Sequence, residues 1–249
     1  MLFRLDGKVA LVTGASGGLG QGMALGLAEA GANIIAVASS NCDETVRLVR
    51  EAGGRIEQLS ADLSDADKLE SAVADALSIY GRIDVLVNNA GMIRRAPAAL
   101  HARKDWYDVI DLNLNAAFFL CQLVGSHMLE RGSGKIINIA SMLSYQGGVN
   151  VPGYTASKHG IAGITKALAN EWASRGIQVN AIAPGYMTTN NTAPIAADAD
   201  RYKSITERIP AGRWGLPEDM KGPAVFLASA ASDYMNGHVL CVDGGWMAR

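Results

Sequence analysis

Cysteine is scarce in this sequence, and the 249 residues contain only Cys42, Cys121 and Cys241. They lie too far apart for a disulfide framework or a thiolate metal site, so we expect them to pack as small apolar residues. The histidines also lack the spacing of metal ligands; they are His101, His127, His159 and His238. The sequence therefore predicts no catalytic metal.

A charge excess is absent as well, because 22 basic and 24 acidic residues leave a formal net charge of -2. Such a chain offers no broad electrostatic attraction to a nucleic acid or an anionic membrane. Arg4, Asp6 and Lys8 precede any apolar run long enough for a signal peptide, and no later run of about 18 apolar residues is evident. We expect a cytoplasmic protein that binds neither nucleic acid nor membrane.

Linkers rich in proline, serine or charge are missing too, and no internal repeat is visible. A chain of 249 residues, of which 49% are hydrophobic, can bury one substantial core. We therefore predict a single domain that spans residues 1–249.

Short apolar runs alternate with amphipathic segments along this domain. Apolar strands without polar alternation are typical of a parallel sheet that helices cover on both faces. The sequence thus predicts an α/β, Rossmann-like, doubly wound fold with seven strands, at 9–12, 34–37, 56–59, 83–87, 136–139, 179–182 and 239–242. The predicted helices lie at 21–30, 44–51, 65–80, 105–128, 154–174 and 218–228.

The segment 186–212 follows the sixth predicted strand and is rich in Thr, Asn and Ala. Open α/β sheets bind ligands beyond the carboxyl ends of their strands, and loops of this length are often functional. We interpret the segment as a loop that covers a substrate.

The stretch from Thr13 to Gly20 joins the first strand to the first helix and contains four glycines. Glycines at such a turn let the backbone approach a pyrophosphate, whose charge the helix N-terminus stabilises. The same spacing also fits a plain strand-to-helix turn, so the motif depends on its context.

Tyr154 and Lys158 lie four residues apart at the start of a predicted helix, on one face. A neighbouring ammonium lowers the pKa of a phenol from its ordinary value of about 10 and makes it a better base. Most pairs at this spacing are surface neighbours. Taken alone, Ser141 could be an ordinary loop or helix-capping serine. Asn113 could be a buried amide that is hydrogen-bonded to backbone groups.

Together with Asp62-Leu63, Asn88-Asn89-Ala90-Gly91 and Pro184-Gly185, these motifs resemble the short-chain dehydrogenase/reductase family over nearly the whole chain. The resemblance implies that Tyr154 exchanges a proton with a substrate oxygen while hydride passes between the substrate carbon and a nicotinamide. It implies that Ser141 binds that oxygen, that Lys158 lowers the tyrosine pKa and binds ribose, and that Asn113 holds a water of a proton relay.

The resemblance also implies which residues bind the cofactor, with Asp62, Leu63 and Asn89 at the adenine side and Pro184 at the nicotinamide end. The full predicted set is Gly14, Ser16, Gly18, Leu19, Gly20, Ser39, Asp62, Leu63, Asn89, Ala90, Gly91, Tyr154, Lys158, Pro184, Gly185 and Thr188.

The segment Ala38-Ser39-Ser40-Asn41 departs from the family patterns. It has neither the acidic residue that holds a ribose diol nor an arginine for a 2′-phosphate. The glycine loop contains no basic residue, which favours NAD. Hydrogen bonding by Ser39 or a folded-back Arg47 leaves NADP open.

The segments NNAGMIRR, APGYMTTNNT and VDGGWMAR resemble family members that interconvert an alcohol and a ketone on keto-deoxy sugar acids. A substrate of this kind needs a cation for its carboxylate and partners for its hydroxyls. We rank Arg94 or Arg95 first for the carboxylate, although both could be solvated or lie at subunit contacts. The predicted substrate contacts are Ser141, Arg94, Arg95, Gln146, Tyr154, Asn190, Asn191 and Arg213.

Three alternatives stay open: a gluconate dehydrogenase, a carrier-linked 3-oxoacyl reductase and a catalytically silent dinucleotide sensor. The carrier-linked class would favour NADPH and a basic docking surface. A sensor would be expected to lose part of the catalytic tetrad that the resemblance implies, which consists of Asn113, Ser141, Tyr154 and Lys158. The resemblance implies a homotetramer, and we expect the apolar Trp246 and Met247 to pack against another subunit.

Overall fold

Seven parallel strands form the centre of the computed structural model, which describes residues 2–248. The sheet order is β3-β2-β1-β4-β5-β6-β7, and every neighbouring pair is parallel. The strands are β1 Val9–Thr13, β2 Asn33–Ala38, β3 Ile56–Ser60, β4 Val85–Asn88, β5 Gly134–Ile139, β6 Ile177–Pro184 and β7 Val239–Val242. The predicted fold class and the number of strands are confirmed.

Helices cover both faces of the sheet because its inner strands are apolar on both sides. Ala10 and Val12 of β1 join one buried cluster, whereas Val9 and Leu11 join another. The helices are α1 Gly18–Glu29, α2 Asp43–Glu51, α3 Leu69–Tyr80, α4 Arg103–Ile110, α5 Ala116–Arg131, α6 Pro152–Trp172, α7 Ala193–Ala196, α8 Ala199–Arg208 and α9 Lys221–Ala228. From β1 the chain adds strands first towards one edge of the sheet and then, from β4 on, towards the other. This switch between β1 and β4 creates the crevice where such folds bind ligands.

The segment 186–212 is not a simple loop, because it contains α7 and α8. The side chain of Asp198 caps α8 by accepting a hydrogen bond from the Arg201 amide at 3.1 Å. Ile205 and Ile209 lie four residues apart and are both buried. This capping and spacing could have predicted α8, which the overall polarity of the segment obscured.

The predicted helix 105–128 extends from Arg103 to Arg131 and contains a π-helical turn, Asp111–Asn115. By length and composition it could cross a membrane, contrary to our reading of the sequence. The core helix of a globular protein passes the same test, and Leu120 and Val124 pack against the sheet here.

Two packing predictions are wrong. Cys42 and Cys121 are buried as expected, but Cys241 is exposed because β7 is an edge strand with one uncovered face. Trp246, expected to contact another subunit, is only 4% exposed because aromatic and aliphatic residues of its own chain surround it. Met247 is partly exposed, so its subunit contact stays a prediction.

Candidate active site

A cleft of about 560 Å³ runs across the carboxyl ends of the central strands. Residues from the glycine loop, the β2 end, the β4 end, α6 and the segment 186–212 all line it. Of the predicted cofactor residues it brings together Gly14, Ser16, Gly18, Leu19, Ser39, Asp62, Leu63, Asn89, Ala90, Gly91, Tyr154 and Lys158. Gly20, Pro184, Gly185 and Thr188 are not among the residues that line it.

Two glycines shape the phosphate end of the cleft. Gly14 has a φ of 64°, which favours glycine. A Cβ on Gly20 would lie 2.2 Å from the carbonyl oxygen of Gly14, so only glycine permits this close approach of loop and helix. The first turn of α1 follows Gly17, which has no side chain to cap it, so its backbone N–H groups can receive an anion. These features fit a dinucleotide pyrophosphate.

Asn89 braces this loop. Its side-chain amide donates to the carbonyl oxygens of Thr13 at 2.9 Å and Gly14 at 3.2 Å. The Thr13 hydroxyl in turn accepts from the amides of Asn89 and Ala90 at 2.9 and 3.0 Å. The end of β4 therefore fixes the end of β1, a role for Thr13 that the sequence analysis missed.

The side chain of Lys158, in α6, is buried and 5% exposed. Its ammonium donates to the carbonyl oxygen of Ile139 at 2.5 Å and lies 5.5 Å from the ring centroid of Tyr154. Burial lowers the pKa of Lys158 to about 8, because a low-dielectric site disfavours the charged amine.

The pKa of Tyr154 is raised by burial, in the opposite direction from the expected activation. A side-chain hydrogen bond with Ser141 and the charge of Arg95 oppose this rise. Arg95 thus adds a second positive charge near Tyr154, and the activating role expected of Lys158 stays a prediction.

Ser141 begins a short helical turn, Met142–Ser144, directly after β5. Its hydroxyl accepts from the Leu143 amide at 3.2 Å, and the Ser144 hydroxyl accepts from the Ser141 amide at 3.3 Å. Ser144 also donates to the carbonyl oxygen of Lys158 at 2.6 Å. This capping arrangement ties Ser141 to α6. We missed Ser144 because the usual capping-box pattern has Glu or Gln at that position.

Asn113 lies in the π-helical turn and is 1% exposed. Its side chain accepts from the Met92 amide at 2.8 Å and donates to the Met92 carbonyl oxygen at 2.9 Å. It also donates to the Ser157 hydroxyl at 3.2 Å, beside the Tyr154–Lys158 pair. Asn113 therefore fixes the loop after β4 against α6, and its water-holding role stays a prediction.

The predicted substrate residues divide into two groups. Tyr154, Asn190 and Asn191 line the cleft. Ser141 hydrogen-bonds Tyr154, and Arg95 donates to the Asn191 carbonyl oxygen at 2.9 Å. The remaining members are engaged elsewhere: Arg94 with Asp105 and Asp108, Arg213 with Asp219, and Gln146 with Trp246. The cleft is also lined by Ser40, Met92, Leu112 and Thr189, which the sequence analysis did not assign.

The β2 end of the cleft contains hydroxyls and no cation. Ser39 and Ser40 line it, while Arg47 forms ion pairs with Glu44 and Glu51 at 2.7 and 2.6 Å. Among residues 2–248, no group of three His, Cys, Asp or Glu side chains is arranged to hold a metal ion.

Comparison with known proteins agrees with this geometry. A family model described as "Enoyl-(Acyl carrier protein) reductase" matches residues 14–247. The chain is 57% identical to the 2-dehydro-3-deoxy-D-gluconate 5-dehydrogenase of Dickeya dadantii and 55% identical to that of Escherichia coli, covering 99% of this chain and 98% of each relative.

A crystal structure of a putative 2-deoxy-D-gluconate 3-dehydrogenase from Agrobacterium tumefaciens with bound NADP is 54% identical. It has a TM-score of 0.94 and covers 99% of both chains. The chain belongs to the short-chain dehydrogenase/reductase family.

Proposed function

We propose that this protein is a nicotinamide-dependent dehydrogenase that oxidises the C5 hydroxyl of 2-dehydro-3-deoxy-D-gluconate and reduces the corresponding ketone. The observation that carries the proposal is the position of Tyr154 and Lys158 in one cleft with the glycine loop. The substrate follows from the relatives at 57% and 55% identity that bear this name over almost their whole length.

The reaction assigns one role to each side chain. When bound, the nicotinamide supplies the acceptor for the hydride that leaves C5. The phenolate oxygen of Tyr154 takes the proton of the C5 hydroxyl, and Ser141 hydrogen-bonds the oxygen as it becomes a carbonyl. Lys158 holds a positive charge beside Tyr154, at 5.5 Å from its ring centroid, and stabilises the phenolate.

Arg95 is our candidate for the substrate carboxylate. It lies close enough to Tyr154 for its charge to lower the phenol pKa, and it contacts the cleft-lining Asn191. Arg94 already pairs with two carboxylates of α4, Asp105 and Asp108, so it is less available to bind the substrate carboxylate. We expect Arg95→Ala to raise the substrate KM by about tenfold or more, the scale of a lost charge-assisted hydrogen bond. Arg94→Ala is the matched control, and equal effects of the two substitutions would contradict the assignment.

We further propose that NAD is preferred and that NADP is accepted. The β2 end of the cleft offers serine hydroxyls to a 2′-phosphate but no cation, because Arg47 is held by two glutamates. The related Agrobacterium tumefaciens structure with bound NADP supports acceptance of the phosphorylated cofactor.

The test of substrate is a panel that separates the classes left open by the sequence. Reduction of NAD and NADP is followed with 2-dehydro-3-deoxy-D-gluconate, D-gluconate and a 3-hydroxyacyl thioester. We expect turnover of the first to exceed the others by about a hundredfold in kcat/KM, since unpaired polar groups in a site reject a poorly matched substrate. Preferential turnover of the thioester would assign the protein to the carrier-linked class instead.

A further inference from the structure

Four aromatic residues, two within the segment 186–212 and two after it in sequence, form a cluster outside the cleft. This cluster consists of Tyr186, Tyr202, Trp214 and Trp246. The ring centroids of Tyr186 lie 5.3 Å from Trp214 and 5.0 Å from Trp246, and Tyr202 stacks on Trp214 at 4.9 Å. These separations are those of favourable aromatic pairs.

The cluster joins two parts of the site that are far apart in sequence. Ile195 of α7 and Ile205 of α8 pack with Trp214 and Trp246 from the covering segment's side. Met142, the residue after Ser141, belongs to the same buried group. One apolar contact surface therefore connects the covering helices to the turn that places Ser141.

Trp246 belongs to this connection and is held on several sides. Asp243 fixes the preceding turn by accepting from the amides of Gly245 and Met247, each at 2.9 Å. The guanidinium carbon of Arg208, the last residue of α8, lies 3.9 Å from the ring centroid of Trp246. The indole N–H reaches the side-chain oxygen of Gln146, in the loop after Ser141, at 3.5 Å.

We propose that Trp246 is a positioning residue that sets the place of α7 and α8, and with them Asn190 and Asn191, relative to Ser141. The inference rests on the proposed function, since these asparagines would contact the sugar acid. Helix α8 is mostly polar and buries Ile205, which packs with Trp214 and Trp246. Its attachment to the rest of the protein therefore depends on the aromatic cluster. Loss of the indole leaves a cavity and removes the ring beneath Arg208.

The test compares Trp246→Leu, Trp246→Phe and Trp172→Leu. Trp172 ends α6, packs near Gly125 and lies outside the cleft-lining set, so its loss controls for general destabilisation. For Trp246→Leu we expect tryptic cleavage at Arg201 and Lys203 to accelerate by about fivefold or more, as local opening becomes easier. We expect the substrate KM to rise by about tenfold while the cofactor KM stays within about twofold of the wild-type value.

Trp246→Phe keeps a ring against Tyr186 and Arg208, and we expect it to restore most of both properties. The proposal is wrong if Trp246→Leu is cleaved no faster than Trp172→Leu, or if the substrate and cofactor KM values rise together. If Trp246→Leu does not fold, Arg208→Met decides, because this change at an exposed residue removes the cation above the ring and leaves the indole in place. It must show the same pattern at smaller amplitude, and no effect would overturn the proposal.

The cleavage comparison needs no substrate. Failure of the wild-type protein to oxidise 2-dehydro-3-deoxy-D-gluconate would reject the proposed function, while unchanged cleavage would reject the positioning role.

Discussion

Burial acts in opposite directions on the two ionisable groups of the active site. It raises the pKa of Tyr154 and lowers that of Lys158 to about 8, so each group is shifted towards its neutral form. At Tyr154 this shift is opposed by a side-chain hydrogen bond with Ser141 and by the charge of Arg95. The sequence could predict the identity of the pair, but the balance of burial and charge depends on groups distant along the chain.

Replacement of Lys158 by methionine should stabilise the protein although it removes activity. The ordinary pKa of 10.5 falls to about 8 in the folded state, so the unfolded chain binds more protons between these pH values. The penalty for the buried charge is thus fully present below pH 8 and disappears as the pH rises towards 10.5.

We expect Lys158→Met to raise the free energy of unfolding by about 1–2 kcal/mol at pH 7, after allowance for the lost hydrogen bond to Ile139. Urea unfolding at pH 7 and pH 10 measures it. A variant less stable than wild type at pH 7 would contradict the assigned burial penalty.

Cofactor choice is decided at Ser39 under our account. An aspartate there would accept hydrogen bonds from a ribose diol and repel a 2′-phosphate. We expect Ser39→Asp to lower the ratio of NADPH to NADH turnover by about tenfold or more, the size of one close charge repulsion. Ser78→Asp, which adds the same charge at an exposed position of α3 outside the cleft-lining set, serves as the control, and an unchanged ratio in Ser39→Asp would show that the phosphate lies elsewhere.

At the scale of elements, irregular features place the site. The sheet and most helices follow from apolar periodicity, and so could be predicted. The π-helical turn Asp111–Asn115 could not, because Met92 and Ser157 select it through the side chain of Asn113. Helix α8 was missed because the polarity of its segment obscured the Asp198 cap, and its packing against Trp246 is remote in sequence.

The turn offers a matched pair of asparagines for a stability test. Asn113→Ala leaves the amide and carbonyl of Met92 without their partners, and we expect a loss of about 3 kcal/mol in unfolding free energy. Asn115 is exposed and its side-chain amide donates to Asp111 at 2.8 Å, so Asn115→Ala should cost less than about 0.5 kcal/mol. Denaturant unfolding of both variants checks this, and similar losses would contradict the role of Asn113.

At the scale of the whole molecule, the candidate active site and a buried ion-pair network lie at opposite ends of the strands. The cleft lies at the carboxyl ends of the strands, whereas Asp84 lies at their amino ends, directly before β4, and is 4% exposed. Asp84 accepts from the Val9 amide at 2.9 Å and from Arg131 at 2.6 Å, and it also pairs with Arg82. It therefore ties β1 to the end of α5 far from the active site.

Burial would raise the pKa of Asp84, but hydrogen bonds from Arg82, Val9 and Arg131 lower it below its ordinary 3.8. Its contribution to stability is present above pH 3.8 and is lost as the pH falls through the lower, folded-state value.

We expect Asp84→Asn to cost about 3 kcal/mol at pH 7, as for other broken buried pairs, and to leave the substrate KM unchanged. The exposed Asp6→Asn is the control and should leave the free energy of unfolding nearly unchanged. Thermal unfolding beside steady-state kinetics measures both, and a large KM change would show that this end of the strands influences the cleft.

The most direct test of the central claim is transfer of a labelled hydride. 2-Dehydro-3-deoxy-D-gluconate carrying deuterium at C5 is incubated with NAD and with wild-type protein or Tyr154→Phe, and the reduced cofactor is analysed by NMR. We predict deuterium on the nicotinamide ring with the wild-type protein, and a rate lower by about 10²–10⁴-fold with Tyr154→Phe, the usual contribution of a general base. Unlabelled reduced cofactor, or equal rates for the two proteins, would contradict oxidation at C5 through Tyr154.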